Sequence, residues 1–476
     1  MVNPPCHLPA SSGEFLRAGE PRNPLTRQLV GWCLIGGLMG GGLSGLADES
    51  ATIEELRQQI RILEEKVNAI EQTRSGETDR ESKSTPTAPK TNDVIKIGGY
   101  LQVDGRFYPS GHDALHNDTF LLRRVRPTFS GTVFNQYDYK VMLDFGSGKS
   151  LLPGENSLVQ DAYLNARFLP ELQLQFGKFK EPVSLERLQS GANLLFAERS
   201  YPTQLAPNRD VGVQLQGDLF HQTTSYAVGV FNGVRDGGSA DQEVVDDEKD
   251  VAARLFVHPF RHTSLTPLQQ LGLGIAGTYG QQEGALGSFV TSGQQVWYRY
   301  LTGTGAANSP LVVADGVHWR VVPQGYYYWG PFGLYGEYAV SSLEVSRREN
   351  GLAPATLTPT HAAWTVGASV LLTGEKNSFN RITPSRPFDP GVGWGAWELK
   401  GRIGQLDVDD DVFPRFANPS VSATAALTWG VGLTWHLNRN LKMYLDYENT
   451  TFDGGSGDRL AEDGEQLILG RIQICF

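Results

Sequence analysis

Three arginines fall within four residues at Arg123, Arg124 and Arg126, and a second basic set follows at Lys178, Lys180, Arg187, Arg199 and Arg209. A guanidinium offers a planar fork of donors and an ammonium a compact charge. Both can replace the water around a phosphate-like oxyanion with charge-assisted hydrogen bonds, and several weak sites in series pass an ion faster than one tight site. Arg106 and Lys140 join the set if their strands face the same interior. The same arginines have a plainer role open to them. Glu181, Glu186 and Glu198 lie in the same stretch, and pairing with them would simply pin it in place. Covalent chemistry has no comparable candidates: HExxH, P-loop and GxSxG motifs are absent. No enzyme, metal, cofactor or nucleic-acid partner is expected.

Arranging these cations around one path requires a scaffold, and the end of the chain gives its clearest signal. In GEQLILGRIQICF, Ile468, Ile472, Ile474 and Phe476 share one parity, and Arg471, Gln473 and Cys475 the other. Such a strand faces lipid on one side and a lumen on the other. A barrel tolerates no free edge in a bilayer, so a final strand of this type must close on the first. The same alternation is legible at Ile95, Ile97, Leu101 and Val103 against Lys96, Tyr100, Gln102 and Asp104. It returns at Leu427, Trp429, Val431, Leu433 and Trp435 against Thr428, Thr434 and His436.

Counting alternating segments gives 17, an odd number that cannot return an antiparallel barrel to the side on which it began. The tight turns at Asn135-Gln136, Leu169-Pro170, His221 to Thr223, Trp329 to Pro331 and Asn438-Arg439 should all be periplasmic. Keeping them on one side assigns 294 to 301 to an external loop and leaves 16 crossings, wide enough for a water-filled channel. The expected fold class is all-β, a 16-stranded antiparallel transmembrane β-barrel preceded by a short N-terminal coiled coil. The composition agrees: 55 Gly, 17 Tyr and a mean hydropathy of -0.29 in 476 residues suit many short strands, not one large apolar core.

Residues 1–47 read as an export signal, with Arg17, Arg22 and Arg27 before a Gly-rich apolar stretch and Gly45-Leu46-Ala47 at the cleavage positions. Within 50–72, Ile53, Leu56, Ile60, Leu63, Val67 and Ile70 alternate spacings of three and four, the seam of a short coiled coil whose core residues leave the number of helices open. Residues 73–93 form a polar linker, and 94–476 the barrel. The localisation expected is the outer membrane of a Gram-negative cell, in contact with lipid and lipopolysaccharide.

The third external connection, 180 to 209, is the natural constriction. Its Leu185, Leu188, Leu194, Leu195 and Phe196 are costly on an exposed tip, so it should fold inward against the wall. The formal charge of the whole chain is -11, so any preference for anions must come from where lumen charges sit. The fourth connection, VRDGGSADQEVVDDEK, is acidic and departs from a simple anion funnel.

The runs LLRRVRPTFSG, DAYLNARFLPELQLQFGKFKEPVSLERLQS, FAERSYPTQLAPNRDVGVQLQGDL, GAWELKGRIGQLDVD and the closing RIQICF resemble the phosphate-selective porin O and P family. The resemblance implies a trimeric outer-membrane barrel, an inward third loop, arginines guiding anions from the entrance and a central lysine at the constriction. It places Arg123, Arg124 and Arg126 in the family's arginine-rich segment and Lys178 and Lys180 at the opening of the third loop, leaving open which lysine is central. The function expected is a porin for passive diffusion of small inorganic anions, phosphate or polyphosphate foremost. The alternatives are a weakly selective general porin and a barrel that anchors an envelope-tethering coiled coil.

Overall fold

The computed structural model describes residues 94–109, 117–146, 158–242, 247–303, 309–455 and 464–476, together with Gln58, which is helical. Apart from Gln58, the expected export signal, coiled coil and linker lie outside the described residues. In chain order the strands are β1 (Val94–Phe107), β2 (Thr119–Val133), β3 (Tyr137–Leu143), β4 (Val159–Leu169), β5 (Leu172–Lys180), β6 (Arg209–Leu219), β7 (Thr224–Phe231), β8 (Asp250–Val257) and β9 (Gly272–Gly284). A small hairpin follows, β10 (Ser288–Val290) and β11 (Val296–Arg299). Then come β12 (Leu311–Trp329), β13 (Phe332–Arg348), the short β14 (Ala355–Leu357), β15 (Thr360–Leu371), β16 (Ala396–Asp407), β17 (Ala425–His436), β18 (Leu441–Asp453) and β19 (Glu465–Cys475).

Sixteen of these close a single antiparallel barrel: each pairs with its neighbours in sequence, β9 pairs with β12, β13 with β15, and β19 returns to β1. The closing seam runs from Tyr100 opposite Cys475 to Phe107 opposite Ile468, and the amide of Phe476 donates to the Gly99 carbonyl at 3.1 Å. β14 only extends the outer edge of β13, and β10 and β11 pair with each other alone. The segment 294 to 301 is therefore loop structure, as the turn lengths require.

Alternation explains the two faces. Val213 and Leu215 of β6, Val228 and Val230 of β7, and Ile472 and Ile474 of β19 are 39–50% exposed toward lipid, whereas Gln214, Arg471 and Gln473 between them are buried in the lumen. Phe134, Phe168, Phe220, Trp329, Phe332 and Phe476 stand exposed beside the short turns, a ring of aromatic rings at one interface. Those turns are tight: three residues join β2 to β3, and the first two, Phe134 and Asn135, both adopt positive φ, 51° and 58°, the left-handed conformation that a close hairpin turn requires.

Candidate functional site

The third connection leaves β5 at Glu181 and folds into the barrel as expected. It makes one turn of helix, α1 (Leu185–Leu188), capped by Ser184, whose Oγ accepts from the Arg187 amide at 3.1 Å. The free amides of Leu185 and Glu186 at that end donate to the two Glu337 carboxyl oxygens on the far wall, each at 3.1 Å. Further on, the Leu194 carbonyl accepts from the Tyr444 hydroxyl and the Leu195 carbonyl from Lys400 Nζ, while the Ala197 amide donates to Asp446. The loop thus crosses the lumen and fastens to β13, β16 and β18. Leu185, Leu194 and Phe196, apolar residues that would be costly outside, are buried there.

Glu198 gathers the arginines. Its Oε1 accepts from Arg123 Nε at 2.7 Å and Arg471 Nη2 at 2.9 Å, and its Oε2 from Arg123 Nη2 at 3.0 Å and Arg124 Nη2 at 3.4 Å. Arg106 Nη2 approaches to 3.6 Å. That Arg123 and Arg124, adjacent in sequence, both reach one carboxylate follows from a bulge. Gln102 of β1 pairs with Arg124 and Val103 with Leu122, so Arg123 is the extra residue and is freed from strict alternation. Burial would raise the Glu198 carboxyl, but Arg123, Arg124 and Arg471 override it and hold it well below the usual carboxylate range. Arg126 is likewise engaged, with Asp144 at 2.8 Å and the Tyr100 hydroxyl at 2.9 Å. Much of the lumen charge cancels this way: Arg471 is bidentate on Asp104, Lys400 pairs with Asp446, and Arg402 with Glu448.

The other sequence-derived candidates divide. Lys178 pairs with Asp241 of the fourth connection. Arg187 donates to the carbonyls of Thr203 and Gly237, tying third connection to fourth. Arg199 donates to the Glu186 and Gln189 carbonyls, each at 3.0 Å. Lys140, Lys180 and Arg209, in contrast, line an open cavity of about 440 Å³ between the third connection and the wall formed by β3 to β8. Lys140 Nζ and Arg209 Nε share one carboxylate, Asp161, each at 2.7 Å. Lys180 Nζ donates to the Gln189 carbonyl at 2.9 Å and the Leu188 carbonyl at 3.3 Å, and among the described residues no carboxylate pairs with it. With Arg254 and Asp218, four cations face two carboxylates, a net of two positive charges.

The sequence reading missed two parts of this site. One is the pair of loop carbonyls that aim Lys180, which no side-chain pattern announces. The other is a row of neutral amides, Gln173, Gln175, Gln214 and Gln216, lining the same cavity; the repeated Gln-Leu-Gln of LQLQF and VQLQG was its signal. A further change concerns 285 to 303. This connection is not simply external, because the β10–β11 hairpin packs inward. Trp297 and Tyr298 have no exposure, Thr291 Oγ1 donates to Glu465 at 2.8 Å and Ser292 Oγ to Glu448 at 2.7 Å. His258 and His262 stand four apart in sequence but face the Tyr326 hydroxyl and the His221 carbonyl, not each other. No group of three metal-ligating side chains occurs among the described residues.

The model of the family described as phosphate-selective porin O and P matches residues 95–470. Porin O of Pseudomonas aeruginosa is 23% identical over 414 residues, covering 80% of this chain and 88% of that protein. Among solved structures, the outer membrane channel DcaP of Acinetobacter baumannii is similar with a TM-score of 0.49 and 11% identity, over 81% of this chain and 97% of that one. The outer-membrane expressed OmpT of Vibrio cholerae is similar with a TM-score of 0.47 and 11% identity, over 81% and 98%.

Proposed function

Since the chain belongs to the phosphate-selective porin O and P family and is an integral outer-membrane β-barrel, we propose that it passes small anions, phosphate among them, by passive diffusion along the cavity beside β3 to β8. The observation that supports this most directly is the uncompensated charge of Lys180, set where the third connection narrows the lumen and flanked by Lys140 and Arg209 with one carboxylate between them. A unit anion at about 4 Å from such a charge gains about 4 kcal/mol at an effective dielectric near 20, against about 1 kcal/mol in bulk water. The paired arginines around Glu198 contribute far less, because a carboxylate already occupies the position an anion would take. Lys180 is therefore the central cation in this reading, and Arg106, Arg123, Arg124, Arg126 and Lys178 hold the walls and loops. A homotrimer, the assembly the family resemblance implies, is the working form.

The test is electrical. In planar bilayers at 0.1 M KCl, the wild-type reversal potential should favour chloride and phosphate should block the chloride current. Lys180→Gln should move the reversal potential toward zero and raise the blocking concentration of phosphate about tenfold or more. The preference should shrink at 1 M salt, where the screening length falls to about 3 Å. A wild-type channel without anion preference at 0.1 M salt gives the weakly selective general porin instead.

A further inference from the structure

A second connection reaches the third one from the opposite end of the barrel. Residues 372 to 395 join β15 to β16 at the end that carries the short turns, where the Asn377 amide donates to the Gly330 carbonyl at 2.7 Å. The first half of this stretch turns into the lumen. Asn377 Nδ2 donates to Ser369 Oγ at 2.8 Å and to the Pro331 carbonyl at 3.2 Å, and Ile382 is buried against Leu371 and Ala396. Between them the Phe379 ring stacks on Tyr326, centroids 5.0 Å apart, and the Tyr326 hydroxyl is in turn 2.8 Å from His258 Nε2. Anchored in this way on β12, β15 and β16, the Phe379 carbonyl is a fixed acceptor. Gln189 of the third connection donates to it through Nε2 at 2.6 Å.

Gln189 is also where this support meets the central cation. Its backbone carbonyl accepts from Lys180 Nζ at 2.9 Å and from Arg199 Nη2 at 3.0 Å, so with the Leu188 carbonyl it sets where the Lys180 ammonium stands in the cavity. The residue closes α1, its own amide donating to the Leu185 carbonyl at 3.2 Å. Just beyond it the chain is tied to β1 and β19: Gln102 Nε2 donates to the Gly191 carbonyl and Gln473 Nε2 to the Ala192 carbonyl, each at 2.9 Å. The Gln189 side chain thus ties the same short segment to the 372 to 395 connection. A side chain held ready for its ion avoids the ordering cost that a loose one incurs on binding. Resting on the anion-channel reading above, we infer that Gln189 is a positioning residue for Lys180, and that the connection between β15 and β16, acting through the Phe379 carbonyl, sets how tightly the central cation holds an anion.

Gln189→Met removes the donor and keeps the length of the side chain, and block of chloride current by inorganic phosphate at 0.1 M KCl reads the effect. The blocking concentration should rise about two- to tenfold, the cost of ordering one long side chain on binding. Phe379→Ala removes the ring that seats the acceptor and should raise it in the same range, and the two together should do no more than the larger alone. A general loosening of the loop would weaken block whatever residue stands at position 180. In a Lys180→Gln background, Gln189→Met should therefore change the blocking concentration no further. Block at the wild-type concentration in Gln189→Met overturns the positioning role and leaves the anion channel standing. A further rise in the Lys180→Gln background, or additive effects of Gln189→Met and Phe379→Ala, overturns it as well. A wild-type channel with neither anion preference nor phosphate block overturns both readings. Should Gln189→Met fail to insert, Phe379→Ala, alone and with Lys180→Gln, decides by the same outcomes.

Discussion

At the scale of single residues, Glu198 is the group on which the loop depends. Four arginines, Arg106, Arg123, Arg124 and Arg471, converge on its carboxylate from β1, β2 and β19. Removing one partner of a buried ion pair costs roughly 3–5 kcal/mol, because the remaining charges stay buried and here also repel one another. Glu198→Gln should loosen the third connection, lower the thermal stability of the folded barrel, and make single-channel current noisier and more anion-selective. An unchanged melting temperature with a quiet current would show that the loop is held by its backbone contacts to Tyr444, Lys400 and Asp446 instead. The pH response has a definite sign. A carboxyl held below its unfolded value of about 4.3 stabilises the fold fully above that pH, and the contribution is lost only as pH falls through the lowered native value. Conductance recorded from pH 7 down to about pH 4 should therefore show no loosening of the loop in the wild type.

Two elements carry consequences of their own. The β10–β11 hairpin buries Trp297 against Phe289, Tyr201 and Phe452 and presents Thr291 and Ser292 to Glu465 and Glu448. It occupies lumen on the side away from the open cavity. Trp297→Ala should cost roughly 3–5 kcal/mol of packing in that cluster and raise conductance by opening a second path. Conductance equal to wild type would mean that the third connection seals this side unaided. The other element is β19, whose end closes the barrel: Arg471 bridges the seam to Asp104 with two bonds of 2.6 and 2.7 Å, and Phe476 lies 63% exposed at the interface. Deleting Phe476 removes an interfacial anchor and the backbone pair with Gly99. The yield of heat-modifiable barrel should fall and material should accumulate in the periplasm.

For the whole molecule, the proposed homotrimer can be tested through the segment that precedes the barrel. Residues 50–72 carry an unbroken heptad pattern, and a coiled coil of that length is too short to be stable by itself, so the coiled coil expected from the sequence should strengthen the proposed homotrimer and not create it. Ile60→Asp with Leu63→Asp would place charges in that seam and should lower the temperature at which the detergent-solubilised oligomer dissociates. An unchanged temperature favours a helix lying on another surface.

The strand number, the closing role of the last strand and the inward fold of the third connection were all legible in the sequence, for a local reason. A residue between lipid and lumen must match one or the other, so the alternation at Val213-Gln214-Leu215-Gln216 is written within four positions. The odd strand was resolved by turn length, again a local property. What the cations do was not legible. Arg124 and Lys180 look equivalent in sequence, yet one ends on Glu198 and the other, held by the Leu188 and Gln189 carbonyls, lines the open cavity. That difference is set by contacts such as Arg471 to Glu198, 273 residues apart, and by a bulge that redirects Arg123. Pairing depends on proximity in space, which exists only once the barrel has closed and the loop has crossed it, so the sequence determined the walls and the tertiary structure decided which charges remain free to meet an ion.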